Sequence, residues 1–397
     1  MLQNLKAKFY KTLHNLNIEY KRYFFDRIDF NEKLIGIIGA RGIGKTTFLL
    51  QYIKEHPLPI EKKLYINSEF LELYSLKMYE VAEEFEKEGG KLLIFDEIHR
   101  YVNFEKELKL IYDTLDIKVI FSGSSAIKLE YSKSDLSRRA ILYRVKNLSF
   151  SEFLEIKTEK SFTSYSFEEI ISHHTDIAFE INSKIKPFEF WKEYLEYGAY
   201  PFYFETSKRN YYQKLQETIN ATIEFDIPFI FNIEPRFIIK LKQLVYLICK
   251  SEPYELNITK LAQKIDIDRK TLYQYIHYLE QGNVFNILKS KSRGDSLFVK
   301  PQKIYLYNSN INYSYCEEQK IGTIRETFIV NQLKDLHQLE YPKKTDLIVE
   351  NKYILEIGGK NKTPKQLEQK ENAFLLLDDI EYGYKNQIPL WLFGFLY

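Results

Sequence analysis

The eight residues Gly39-Ala40-Arg41-Gly42-Ile43-Gly44-Lys45-Thr46 lie between a mostly apolar run, Leu34 to Ile38, and Thr47-Phe48-Leu49-Leu50. This order reads as a strand, a glycine-rich loop and the start of a helix. The glycines let successive backbone N–H groups turn inward around phosphate oxygens, the lysine reaches the β and γ oxygens, and the threonine offers a hydroxyl to Mg²⁺. The positive end of the following helix adds to the same anion site. Gly39, Ala40, Arg41, Gly42, Ile43, Gly44, Lys45, Thr46 and Thr47 are therefore the expected nucleotide-binding residues, with ATP and Mg as cofactors.

A second element supplies chemistry. Lys91-Leu92-Leu93-Ile94-Phe95-Asp96-Glu97 is an apolar strand ending in two acids. Asp96, together with Thr46, is expected to bind the metal, and Glu97 to orient and polarise the attacking water. Lys118 to Ser122 reads as a further strand that ends in the small polar turn Ser122-Gly123-Ser124-Ser125. Ser122 or Ser124 would sense the γ-phosphate; a plain turn is the alternative. Downstream, Asp135-Leu136-Ser137-Arg138-Arg139 offers two cations, one of which would neutralise transition-state charge within the chain or across a subunit boundary. A surface salt bridge is the other reading. The expected catalytic set is thus Lys45, Glu97, Ser122 and Arg139.

A chain of 397 residues is too long for one ordinary domain. Its formal charge of +2 neither requires nor excludes nucleic acid, so any basic surface must be local. Cys249 and Cys316 have no partner cysteines at metal-ligand spacing, which argues against structural zinc and against a disulfide framework. Neither an apolar core after Met1 nor an apolar run of membrane-spanning length is present, so a soluble cytoplasmic protein with no membrane partner is expected. The many tyrosines and phenylalanines read as compositional bias.

Short apolar strands alternate with helical patterns through the first part of the chain. A helix is expected over 2–20, strands at Leu34 to Ile38, Leu64 to Asn67, Leu92 to Phe95 and Lys118 to Ser122, and helices over 72–88 and Phe104 to Asp113. Such alternation predicts a parallel sheet covered on both faces, with the nucleotide at its C-terminal edge. Residues 156–235 give mostly helical signals and read as a lid. Over 236–305, three helices (Phe237 to Cys249, Asn257 to Ile265, Arg269 to Gln281) precede a hairpin of Val284 to Leu288 with Ser296 to Val299. That pattern suggests a winged helix-turn-helix, with Arg269, Lys270, Tyr273 and Tyr275 near the exposed face and Lys289, Lys291 and Arg293 at the wing. These suit phosphate contacts with DNA, although such folds also pack against protein.

The last segment reads as a helix over Ile321 to Lys334, the strand Thr345 to Val349, a turn at Asn351-Lys352, its partner Tyr353 to Ile357, a polar helix over 364–372 and the strand Ala373 to Leu377. Asp346 and Glu356 would bind metal, with Lys360 stabilising charge or positioning water.

Together these motifs resemble prokaryotic ATPases of the AAA superfamily that end in a restriction-endonuclease-like domain. Gly39 to Thr46 look like the family's Walker A, Asp96 and Glu97 its Walker B, Ser122-Gly123-Ser124 its sensor, and Arg139 the arginine before its next segment, here Leu148 to Phe153. Gly198 and Pro201 match a glycine-proline turn. The family's last domain is similar to nucleases with an acid followed by an acid-x-lysine triplet. Asp346 and Glu356 match the acids, but Gly358 stands at the lysine position and Lys360 lies two residues beyond. The resemblance implies an α/β fold: a P-loop NTPase parallel sheet with helical lid over 1–155 and 156–235, a winged helix-turn-helix over 236–305 and an α/β nuclease-like domain over 306–397.

The expected function is Mg-dependent ATP binding and hydrolysis coupled to domain rearrangement, acting on DNA through the winged-helix and C-terminal segments or on a protein partner. A homo-oligomer is expected if Arg138 or Arg139 completes a neighbouring site. The alternatives are an ATP-switched DNA-binding regulator with little turnover and an ATP-controlled nuclease.

Overall fold

A computed structural model describes residues 1–16, 20–123, 136, 138–250, 257–289, 301–342, 345–363 and 371–397. The chain forms two compact units, Met1–Asn147 and Leu148–Tyr397.

The first unit opens with α1 (Leu2–His14), shorter than its apolar pattern suggested because the helix ends at Asn15. Then come β1 (Leu34–Gly39), α2 (Lys45–Glu55), β2 (Lys63–Asn67), α3 (Ser68–Leu73), α4 (Met78–Lys87), β3 (Leu92–Asp96), α5 (Phe104–Thr114), β4 (Lys118–Gly123) and β5 (Ile141–Val145). The single helix expected over 72–88 is two, broken where Ser75 adopts a left-handed φ of 51°. All four strand pairs are parallel, in the order β2-β3-β4-β1-β5. Every residue of β1 and β3 is buried, as a parallel sheet covered on both faces requires. Gly36 lets β1 approach its neighbours closely, since a Cβ there would sit 2.3 Å from Leu142 Cδ2.

The second unit begins with α6 (Phe150–Thr158), whose entry is fixed by a capping box: Ser149 Oγ accepts from Glu152 N, and Ser149 N donates back to the Glu152 carboxylate. The helices α7 (Phe167–Lys184), α8 (Phe188–Tyr197), α9 (Lys208–Ala221), α10 (Ile227–Phe231), α11 (Pro235–Lys250), α12 (Ile258–Ile265) and α13 (Arg269–Gln281) follow. β6 (Phe285–Lys289) pairs antiparallel with β7 (Pro301–Leu306). The expected partner over 296–299, with Lys291 and Arg293, lies outside the described residues. Arg269 and Lys270 are exposed on α13, whereas Tyr275 is buried and faces the core, contrary to expectation.

After β7 come α14 (Ser309–Tyr315), α15 (Ile321–Leu333), β8 (Leu339–Glu340), β9 (Leu347–Val349), β10 (Tyr353–Gly359), β11 (Ala373–Asp378) and β12 (Gln387–Pro389). They build a sheet of order β12-β11-β10-β9-β8, parallel on the β10–β11–β12 side and antiparallel on the other. The helix expected over 364–372 falls mostly outside the described residues. The early helices share a core with this sheet. Phe150 lies 5.0 Å from the Trp191 ring and 5.8 Å from Phe395, and Trp191 Nε1 donates to Asp378 Oδ1 at 3.0 Å. Buried Asn310 on α14 accepts from Ala199 N (2.8 Å) and Tyr211 OH (2.7 Å) and donates to Leu195 O (2.9 Å).

One expectation about the cysteines is corrected. Cys249, near the end of α11, and Cys316, just after α14, are joined in a disulfide. Packing of α11 against α14 brings together two residues that spacing along the chain left unrelated. No helix among the described residues is long and apolar enough to cross a membrane.

Candidate functional site

At the end of β1 the chain turns through a loop that only glycines accept easily. Gly42 and Gly44 have φ of 80° and 93°, a region costly for residues with a Cβ. Gly39 has a different reason: a Cβ there would lie 2.4 Å from the Val145 carbonyl oxygen on β5. Gly44 is the N-cap of α2 and has no side-chain cap, so the first turn of the helix opens on the loop. Lys45 is buried and folds back over the loop, donating from Nζ to Gly39 O (3.1 Å) and Ala40 O (2.7 Å).

The second half of the site is organised around Asp96, which is fully buried at the end of β3. Its Oδ2 accepts from Thr46 Oγ1 at 2.7 Å and from Tyr65 OH at 2.6 Å. Its Oδ1 accepts from Ser122 Oγ and from Glu97 N, the latter at 3.1 Å. The parallel register makes this convergence possible, since β3 lies between β2, which carries Tyr65, and β4, which carries Ser122. Burial, followed by the Asp96 charge, pushes the Tyr65 hydroxyl far above the ordinary phenol range, so it remains a donor.

Glu97 sits in the left-handed region (φ 52°, ψ 42°), unusual for a residue with a Cβ. Its N–H also donates to Ser122 Oγ at 3.2 Å. Its carboxylate is 3.4 Å from Nε2 of buried His99. The structure thus brings Lys45, Thr46, Asp96, Glu97 and Ser122 together. Arg139 makes a two-pronged pair with Asp113, from Nε at 2.8 Å and Nη2 at 2.9 Å, while Arg138 is exposed. Ser124, Ser125 and Asp135 lie outside the described residues.

Two residues here escaped the sequence reading. Tyr65 lies inside an apolar strand, where tyrosine reads as packing. Arg22 precedes the loop without a motif around it; it is buried and donates to Ile43 O (2.9 Å), Lys146 O (3.0 Å) and Asn147 O (3.1 Å).

In the second unit, Asp346 and Glu356 come together through the antiparallel β9–β10 pair. The lysine between them is Lys362; Lys360 is exposed. Lys362 Nζ reaches Asp346 Oδ2 at 2.8 Å and Glu356 Oε2 at 2.7 Å, and donates to Ile357 O at 2.8 Å. Gly358 explains how: a Cβ there would sit 2.3 Å from Lys362 Cδ, so the glycine vacates the space that the stem of Lys362 fills. Burial, only partly offset by Lys362, raises the Glu356 carboxyl above its usual value, and Asp346 adds to the rise. Burial acts to lower Lys362, but its bonds to both acids outweigh this and hold the ammonium above its ordinary value. Nearby on α15, Glu326 Oε2 accepts from Tyr305 OH (2.5 Å) and Lys303 Nζ (3.0 Å). Among the described residues, no group of three or more histidine, cysteine or acidic side chains is arranged to hold a metal ion.

A family model described as AAA domain matches residues 31–154. A second, described as Domain of unknown function (DUF8612), matches residues 188–315. An uncharacterized protein of Methanocaldococcus jannaschii is 27% identical over 401 residues, covering 91% of this chain and 85% of its own length. Similar solved structures include AMPPCP-bound DnaA from Aquifex aeolicus, at 14% identity and a TM-score of 0.26, covering 71% of this chain and 91% of that one. A DNA replication initiation factor gives 13%, 0.27, 71% and 91%. A DNA polymerase III gamma subunit-related protein from Thermotoga maritima gives 10%, 0.24, 71% and 84%. TM-scores this low give these three likenesses no weight for fold or function. The strand–loop–helix and the acid-terminated strand both fall inside the AAA match. The chain is an ATPase carrying an AAA domain over residues 31–154.

Proposed function

We propose that the chain hydrolyses Mg·ATP at the edge of the first sheet and uses the cycle to rearrange its own domains or a bound DNA or protein partner. The observation that carries this reading is the bond from Thr46 Oγ1 to Asp96 Oδ2 at 2.7 Å, which joins the phosphate loop to the acid-terminated strand. The loop N–H groups and Lys45 would hold the phosphates. Thr46 and Asp96 offer the hard oxygen donors that Mg²⁺ takes, and the ion bound there would neutralise charge on the β and γ phosphates. Glu97 accepts a proton from water attacking the γ-phosphate, and Ser122, bonded to both Asp96 and Glu97, relays loss of that phosphate. Arg139 serves a neighbouring copy only if it leaves Asp113. Steady-state phosphate release with and without duplex DNA tests this. Glu97→Gln is expected to bind ATP normally and lose about 10²–10⁴-fold in turnover; unchanged turnover would remove Glu97 from the mechanism.

A second reading rests on a separate observation, the placement of Lys362 over Gly358 and between Asp346 and Glu356. It restores in space the lysine that the chain lacks at 358, and it supports a metal-dependent phosphodiesterase role for the last sheet. Asp346 and Glu356 would hold the divalent ion, whose chemistry is to polarise a phosphoryl oxygen. Lys362 would stabilise charge on the phosphate. The test is nicking of supercoiled DNA with Mg²⁺ or Mn²⁺. Cleavage lost in both Asp346→Asn and Lys362→Ala supports the role, and an inert wild type makes the cluster a structural ion-pair network. Contact with DNA through Arg269 and Lys270 belongs to the same proposal, and loss of both cations should flatten the salt dependence of binding.

A further inference from the structure

Arg22 stands outside both motifs, yet its guanidinium is buried and tied to the nucleotide loop. Its Nη1 donates to the carbonyl of Ile43 at 2.9 Å and of Lys146 at 3.0 Å, and its Nη2 to the carbonyl of Asn147 at 3.1 Å. The planar fork fits this task, because it reaches several acceptors at once with fixed geometry, which an ammonium cannot do.

The Ile43 carbonyl belongs to the same peptide unit as the Gly44 N–H. The chain contains no cis peptide among its described residues, and in a trans peptide the C=O and the following N–H point in opposite directions within one plane. A donor that fixes the carbonyl on one side therefore aims the Gly44 N–H to the other, where the loop cradles phosphate. Gly44, with φ 93°, has broad conformational freedom, so the direction of this peptide is not secured by its own backbone preferences.

The other arm of the fork explains what holds Arg22. β5 ends at Val145, which lies in register with Gly39 at the start of the loop. Lys146 and Asn147 follow directly. One end of the loop is thus seated on Val145 and the other is tied through Arg22 to the next two carbonyls, so residues 145–147 form the backing of the whole phosphate loop. Phe24, 5.1 Å from the guanidinium carbon, adds a ring face to the enclosure.

We propose that Arg22 is a positioning residue for nucleotide binding: it orients the Ile43–Gly44 peptide toward the β-phosphate by tying the loop to Lys146 and Asn147. The claim concerns nucleotide affinity, not the chemical step. Calorimetric titration of Mg·ADP and steady-state turnover of ATP on the full chain test it, using Arg22→Ala and Arg22→Lys with circular dichroism and thermal unfolding as checks of the fold. Removing a charge-assisted hydrogen bond should raise the Kd for Mg·ADP and the KM for ATP about ten-fold or more in Arg22→Ala. Turnover at saturating ATP should change less than two-fold. Arg22→Lys should fall between the two, and it carries the test if Arg22→Ala does not fold. A folded variant with a lowered unfolding temperature and wild-type Mg·ADP affinity would make Arg22 a support of the fold alone and overturn the proposal. So would a loss confined to turnover at saturation.

Discussion

Replacing Tyr65 by phenylalanine tests the arrangement around Asp96 while changing one oxygen. The Tyr65 hydroxyl donates to Asp96 Oδ2 at 2.6 Å, Tyr65 is 7% exposed and Asp96 is fully buried. Phenylalanine keeps the ring and its packing. The loss is therefore the bond itself, with Thr46 Oγ1 left as the remaining donor described on that oxygen. A hydrogen bond to an ionised acceptor contributes about 1.5–3 kcal/mol net, more than a neutral pair. For a unit of roughly this size each kcal/mol moves the midpoint by about 2–4 °C, so a loss near 2 kcal/mol lowers the transition of the first unit by about 4–8 °C. Differential scanning calorimetry of nucleotide-free protein reads this directly. Ser122→Ala removes a donor from the other carboxylate oxygen, and the double variant should not be additive, because both groups serve one charge. A phenylalanine variant within about 0.5 kcal/mol of wild type would refute the reasoning, since a change that small belongs to a surface site.

Other outcomes follow from the same geometry. Gly39→Ala places a methyl 2.4 Å from Val145 O, so β1 and β5 must separate. A cost of about 1–3 kcal/mol and weakened ATP binding are expected, measured by urea unfolding and by titration. Reduction of Cys249–Cys316, or Cys249→Ser, opens a cross-link spanning 67 residues, and the chain-entropy relation puts the loss for the second unit at about 4 kcal/mol; an unchanged unfolding midpoint under reductant would contradict it. Burial acts to raise the Glu193 carboxyl, but hydrogen bonds from Lys208, Tyr203 and Lys157 together outweigh it and hold the group at about 2. Its folded value lies below its unfolded one, so its stabilisation is present above about pH 4.5 and is lost as pH falls toward 2. Glu193→Gln should therefore flatten the acid limb of the stability profile.

The parts of the site written in consecutive residues were legible. Gly42, Gly44 and Lys45 form a loop and helix start by local conformational rules, and Leu92 to Phe95 is apolar because both faces of its strand are covered. What was missed depends on contacts distant in sequence. β5 is an edge strand of five residues with exposed and half-buried positions, so its short run shows neither the continuous burial nor the clean alternation that marks a strand. Tyr65 and Arg22 act through partners that only the sheet register supplies. Tyr275 is buried by the helices packed around α13, which helix phase alone does not reveal. The expected lysine, Lys360, is exposed because the turn after Gly359 carries the chain two residues further before Lys362 returns to the acids.

The central claim is that ATP is gripped between the loop after β1 and the carboxylates that end β3. Titration calorimetry of Mg·ATP into the full-length Glu97→Gln protein, with and without Lys45→Ala added, measures that grip in the absence of turnover. The account predicts saturable binding to the first and loss of about 2 kcal/mol or more in the second, the scale of removing a charged donor. Equal affinity in the two proteins, or no binding to either, would contradict it.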